Sequence, residues 1–181
     1  MITAPRAPKH FLIVFTDLTR FKDQSLRVEH TELADTLDAL YERTAVAVQA
    51  AGGTLVKFIG DATLAVFPES AVDSAVRMLL ELKPDIDDFM SARGWMCRLT
   101  IKAHYGEVIA GEFGPQGSKR FDVIGRAVNT TAMLQSQGIT LSAEAFRKLT
   151  PELRQQFKKY TPPITYIRAE DPRPSGLRPV H

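Results

Sequence analysis

Phe11-Leu12-Ile13-Val14-Phe15 is five consecutive apolar residues with no polar residue among them. A run of this kind needs cover on both faces, so it suits a central strand of a sheet that carries packing layers on either side. It stops at Thr16-Asp17-Leu18. A helix is expected from Glu29 to Ala51, with Leu33, Leu37, Leu40, Tyr41, Ala47 and Val48 on one face and Gly52-Gly53 as its stop. Two short strands, Thr54–Phe58 and Thr63–Phe67, then flank Gly60-Asp61 as a tight hairpin. A second helix follows over about Ala71 to Ala92, its stripe formed by Val72, Ala75, Val76, Leu79, Leu80 and Leu82.

Arg98–Ala110 reads as another strand, broken or bent near Gly106. The order strand, helix, strand, strand, helix, strand is that of an α+β fold with a ferredoxin-like split β-α-β sheet. Additions follow it. A protruding hairpin arm is expected to join Glu112–Phe113 to Phe121–Ile124 across Gly114–Ser118, with a helix from Arg126 to about Ser136. Ile139–Leu141 reads as a short strand leading to Ser142, a good N-cap for a helix through Leu149. Five of the eleven prolines fall at the end, where a short strand at Ile164–Ile167 and an irregular, mobile tail are expected. The expected division is an N-terminal extension at 1–10, one domain at 11–153, and a C-terminal strand with a basic tail at 154–181.

The 181 residues fit one domain with a full core. Net charge is +2, but 154–181 holds +4 and 1–153 holds −2. That balance argues against a nucleic-acid binder. One cysteine, Cys97, excludes an internal disulfide framework and any zinc site built on several thiolates; it reads as a buried residue at the start of a strand. The N-terminus lacks a signal-peptide core and no apolar run approaches membrane-spanning length, so a cytoplasmic protein without membrane association is expected.

Asp17 and Asp61 sit at strand ends without a packing duty. In a split β-α-β sheet the first strand lies beside the hairpin, so both carboxylates can meet at one sheet edge. Mg²⁺, commonly held by one or two carboxylates plus substrate phosphates, would suit them. The alternative is that Asp17 caps the next segment and Asp61 is a turn residue.

Four ordered motifs extend this reading: Phe15-Thr16-Asp17-Leu18-Thr19-Arg20-Phe21, Lys57-Phe58-Ile59-Gly60-Asp61-Ala62, Ala103-His104-Tyr105-Gly106-Glu107-Val108-Ile109-Ala110-Gly111, and Phe121-Asp122-Val123-Ile124-Gly125-Arg126-Ala127-Val128-Asn129. Together they resemble the catalytic domain of class III nucleotidyl cyclases, the adenylate and guanylate cyclase family, over roughly Phe11 to Leu149. The resemblance implies two Mg²⁺ or Mn²⁺ ions per site, held by Asp17, Asp61 and the Leu18 carbonyl. Lys57 and Asp122 match the pair that reads adenine, and Asn129 matches the residue that positions the ribose. It also implies a head-to-tail homodimer in which metal aspartates come from one chain and base-reading residues from the other, so an isolated chain would be inactive. The implied reaction turns a nucleoside triphosphate, ATP by the Lys57/Asp122 pair, into its 3′,5′-cyclic monophosphate and pyrophosphate. His104 reads as a packed strand histidine rather than a ligand.

Two departures stand out. The resembled family carries an arginine four residues after the asparagine, where this chain has Met133. Loss of such a charge costs on the order of 10²–10³ in rate if nothing compensates. Around Phe21, where the family has glycine and threonine, this chain has Arg20 and Lys22; one of these, or Arg126, could supply the missing cation, or Arg20 and Lys22 could simply face solvent. The break leaves two rivals: a pyrimidine cyclase making cyclic UMP or CMP in bacterial anti-phage signalling, and a catalytically degenerate nucleotide-binding homologue that acts as an interaction partner. A diguanylate cyclase is more remote, since the Gly-Gly-Asp-Glu-Phe signature is absent.

Overall fold

The apolar run lies inside a longer strand, β1 (Ala7–Leu18), in the computed structural model, which describes residues 6–161 and 163–171. Alternation along β1 feeds two cores. Leu12, Val14 and Leu18 enter the larger one, while Ile13 enters the smaller, with Phe11 and Phe15 packed against it. A short helix α1 (Phe21–Ser25) follows β1, and α2 (His30–Ala50) leads to the hairpin of β2 (Thr54–Ile59) and β3 (Ala62–Pro68). A turn of 3₁₀ helix (Glu69–Ala71) opens α3 (Val72–Ala92), and β4 (Leu99–Phe113) closes the core unit. β1 pairs antiparallel with β3 on one side and β4 on the other. The order β2-β3-β1-β4 is the expected split β-α-β core.

α2 and α3 cover one face and supply the larger core. Pro84 inside α3 removes a backbone donor, a cost of about 3 kcal/mol. Burial of Val76, Leu79, Leu82, Ile86 and Met90, each contributing about 1.5–3 kcal/mol, offsets it. The other face is covered by β5 (Arg120–Ile124), which pairs with the far end of β4, and by α4 (Arg126–Met133); Val123 and Ala127 are their core residues. The sheet extends past β4 through β6 (Ile139–Ser142, parallel to β4), then α5 (Ala143–Lys148), α6 (Pro151–Arg154), β7 (Phe157–Tyr160) and β8 (Thr165–Arg168). Ser142 caps α5 as expected, accepting from the Ala145 N–H at 3.2 Å. Among the described residues no helix is long and apolar enough to cross a membrane.

Several expectations differ from the structure. β1 starts at Ala7, so residues 7–10 belong to the sheet, where they pair with Glu107–Ala110. β4 is unbroken at Gly106. The glycine is needed there because α4 packs close: a Cβ at 106 would stand 2.8 Å from the Ala127 Cβ. α4 ends at Met133 rather than near Ser136, and the Lys102 ammonium takes the Ala132 carbonyl at 2.9 Å. Cys97 is fully buried but precedes β4 instead of opening it, and burial pushes its thiol pKa up. The C-terminal segment forms a β7–β8 hairpin, one strand more than expected. The tail at 172–181 lies outside the described residues.

Candidate active site

Asp17 is the penultimate residue of β1, on the same side of the strand as Phe11, Ile13 and Phe15. Asp61 occupies the β2–β3 turn, where Gly60 (φ +62°) supplies a left-handed position and Asp61 needs none. Among two-residue hairpin loops that pattern is a type II′ turn. The hairpin lies beside β1, so the Asp61 Oδ2 accepts the Leu18 N–H at 3.1 Å and the two carboxylates come within hydrogen-bonding range. Burial, then the hydrogen bond and charge of Asp17, push the Asp61 pKa up to about 6, against the lowering effect of the backbone N–H groups of Leu18 and Asp61.

Asp17, Leu18 and Asp61 line a cavity of about 400 Å³ together with Arg20, Phe21, Lys22 and Asp23. Between Leu18 and Arg20, Thr19 ties the chain to the segment before β4: its N–H donates to the Arg98 carbonyl at 2.9 Å and its Oγ accepts the Arg98 N–H at 3.0 Å. Arg20, at φ +56°, is the one non-glycine residue with a left-handed backbone among the described residues, and it caps α1. Neither Arg20 nor Lys22 is held by an ion pair within the chain, so both cations border the carboxylates unneutralised among the described residues. A cation fits this donor set. Two carboxylates sharing a proton-like contact relieve their repulsion on a divalent ion, and the open cavity leaves room for water and phosphate oxygens. No cluster of three or more metal-ligating side chains occurs among the described residues, so protein ligation would stop at these two carboxylates and backbone oxygen.

Lys57, Asp122, Arg126 and Asn129 line no part of that cavity. Lys57 on β2 and Asp122 on β5 meet each other instead, Nζ to Oδ2 at 2.6 Å, and the Asp122 Oδ1 accepts the Val123 N–H at 2.8 Å. Arg126, Asn129 and Met133 are exposed along α4, at the helical spacing that places them on one side. Met133 is 81% exposed. His104 is a packed residue: burial pushes its pKa down against the raising effect of Glu144, and its Nδ1 lies 2.9 Å from the Ser142 Oγ.

Two contributors were not singled out from the sequence. The Tyr41 hydroxyl donates to the Gly60 carbonyl at 2.6 Å, and its ring stacks on Phe58 at 3.9 Å. Burial, then the Asp61 charge, push the phenol pKa up, so it remains a donor at neutral pH. In the sequence Tyr41 is one apolar helix position among several and carries no signal. Lys102 had one: a lysine between Ile101 and Ala103 in a buried strand, now seen with its ammonium one residue from Met133.

The split β-α-β sheet thus carries two adjacent carboxylates at the end of its central strand, bordered by two cationic side chains. The model of the adenylate and guanylate cyclase catalytic domain matches residues 6–172, and the chain belongs to that family. An adenylate cyclase of Anabaena cylindrica is 27% identical over 135 residues, covering 70% of this chain and 27% of that protein. Adenylate cyclase 2 of Rhizobium meliloti is 26% identical over 167 residues, covering 88% and 44%. The chain thus spans less than half the length of these relatives. Among solved structures, a bacterial light-regulated adenylyl cyclase superposes with a TM-score of 0.83 at 19% identity, over 95% of this chain and 55% of that one. An adenylyl cyclase from P. aeruginosa gives 0.80 at 20% identity, over 96% and 100%. At these identities the likeness is one of fold.

Proposed function

We propose that this chain is a nucleotidyl cyclase that converts a nucleoside triphosphate, ATP in the first instance, to the 3′,5′-cyclic monophosphate and pyrophosphate. The observation that carries the reading is the Asp17–Asp61 contact at the end of β1, beside unpaired Arg20 and Lys22. The ribose 3′-oxygen forms a bond to the α-phosphorus, the bond from that phosphorus to the pyrophosphate oxygen breaks, and the hydroxyl proton passes to solvent. Mg²⁺ or Mn²⁺, when bound, lowers the pKa of the hydroxyl and neutralises charge on the phosphates. Asp17, Asp61 and the Leu18 backbone hold the cations, and Arg20 and Lys22 face the triphosphate. Lys57 donates to a ring nitrogen and Asp122 accepts from the exocyclic amine of adenine. Asn129 orients the ribose. Catalysis here is positioning and charge stabilisation, with no covalent intermediate.

The base-reading residues and the carboxylates do not share a cavity within one chain, which supports a site completed by a second copy in head-to-tail arrangement. Ile109, Phe121 and Ile124, exposed on the β4–β5 arm, are suited to that contact. The exposed Met133 supports a second reading, a weak or inactive homologue that binds nucleotide.

The test is incubation of the purified protein with each of the four nucleoside triphosphates and Mn²⁺, with chromatographic identification of products. Cyclic AMP that disappears in Asp17→Asn is the expected result. Cyclic UMP or CMP reassigns the base, and no cyclic product from any triphosphate overturns the reading.

A further inference from the structure

The Asp17–Asp61 contact is electrostatically uphill, so something must hold it. The Leu18 N–H holds one oxygen of Asp61, but β1 also presents the repelling carboxylate. The remaining restraint comes from α2. Leu40, Thr44 and Val48 bury that helix in the main core, which fixes the backbone at Tyr41. The Tyr41 ring lies on Phe58 with an interplanar angle of 17°, and its hydroxyl reaches the Gly60 carbonyl at 2.6 Å. That carbonyl belongs to the central peptide of the turn, the Gly60–Asp61 peptide. In a two-residue hairpin the orientation of this peptide separates the II′ form from the I′ form, and I′ would require a positive φ at Asp61. Anchoring the carbonyl therefore sets the backbone from which the Asp61 side chain projects.

We propose that Tyr41 is a positioning residue of the divalent-cation site: its hydroxyl locks the Gly60–Asp61 peptide so that Asp61 stays against Asp17 before a cation arrives. The proposal rests on the cation-site reading above. The stack on Phe58 aims the hydroxyl, and the hydroxyl aims the turn. Without it the turn is free to relax and the carboxylates to separate, so a cation must draw them back together on binding. Groups that orient metal ligands from behind are commonly worth about 10–100-fold in metal affinity.

The test is Tyr41→Phe, which keeps the ring and its stack and removes only the hydroxyl. Mn²⁺ affinity of the metal-free protein, without nucleotide, is read from the electron paramagnetic resonance signal of free Mn²⁺. Tyr41→Phe should weaken Mn²⁺ binding about 10-fold, while its melting temperature in EDTA stays at or above that of the parent protein. Phe58→Leu, which loosens the ring and leaves the hydroxyl, should give a smaller loss of Mn²⁺ affinity. Mn²⁺ affinity within about twofold of the parent in Tyr41→Phe overturns the proposal, as does a lowered melting temperature with unchanged affinity, the mark of a structural role alone. Asp61→Asn separates the two levels of inference. If Asp61→Asn abolishes Mn²⁺ binding and Tyr41→Phe does not weaken it, only the role of Tyr41 falls. If the parent protein binds no Mn²⁺, or Asp61→Asn binds it equally well, the cation site itself falls, and the proposal with it.

Discussion

Asp61→Asn should stabilise the metal-free protein while removing its capacity to bind a cation. Folding raises the Asp61 carboxyl from 3.8 to about 6, with burial and the Asp17 carboxylate as the causes. At about 1.4 kcal/mol per decade of proton affinity, the ionised form carries a cost of at most about 3 kcal/mol. Asp61 is half-buried, and solvent screening reduces this to about 1 kcal/mol. The asparagine is uncharged, can still accept the Leu18 N–H, and can donate to Asp17. The sign with pH follows. Above about 6 the folded protein bears the full cost; as pH falls toward 3.8 the folded state holds a proton that the unfolded state lacks, and the cost disappears. In thermal melts with EDTA the variant should therefore gain about 2–4 °C at pH 7.5 and only about a third of that at pH 4.5, where the unfolded carboxyl is still mostly ionised. An equal gain at both pH values, or a loss at pH 7.5, would refute the electrostatic argument. With Mn²⁺ at pH 7.5 the order should invert, because only the parent protein is stabilised by ligand binding.

Three further outcomes follow from the same geometry. Met133→Arg, placing a cation at the exposed end of α4, should raise kcat on the order of 10-fold or more with little change in KM, as steady-state product formation would show. Asp122→Ala strips Lys57 of its partner and removes the acceptor for the exocyclic amine. KM for ATP should rise by roughly 10-fold or more, and discrimination in a four-nucleotide competition should weaken. Dilution should lower specific activity while Mn²⁺ affinity per chain stays constant; specific activity independent of concentration would contradict a site shared between two copies.

The core of this fold was legible because its signals are local. Phe11–Phe15 demanded burial on both faces, and the structure buries it in two cores. Gly60-Asp61 demanded a tight turn, and the left-handed φ at Gly60 supplies it. Gly106 misled because a glycine in a strand can mark either a bend or a close approach, and only the position of Ala127 on α4 distinguishes them. β7 was missed because Phe157-Lys158-Lys159-Tyr160 has no clean alternation; its pairing with β8 and the bonds of Lys158 to the Ala169 and Asp171 carbonyls form it. Among the candidate site residues, the sequence could order Asp17, Asp61, Lys57 and Asp122 along the chain. It also set the first two at one sheet edge, and the resemblance paired the second two; the bonds that keep the pairs separate, the Leu18 N–H on Asp61 and the Val123 N–H on Asp122, carry no sequence signal.

That separation has a physical logic. Lys57 and Asp122 neutralise each other across two strands, and Asp122 spends one oxygen on Lys57 and the other on the Val123 N–H. Each partner keeps capacity to spare: the ammonium has three donors and each carboxylate oxygen two acceptor directions. Both are partly exposed, so that spare capacity is open to a ligand. The carboxylate pair is the reverse case. Asp17 and Asp61 hold a contact that is unfavourable until a positive charge arrives, and it persists because the Leu18 N–H and the Tyr41–Gly60 bond constrain the backbone around it. One pair is internally satisfied, and the other stores repulsion that a proton or a metal cation relieves. Under the proposed function, a triphosphate carrying its own cations would relieve the carboxylates of one copy while its base meets the Lys57–Asp122 pair of the other, so each copy would supply half of every site.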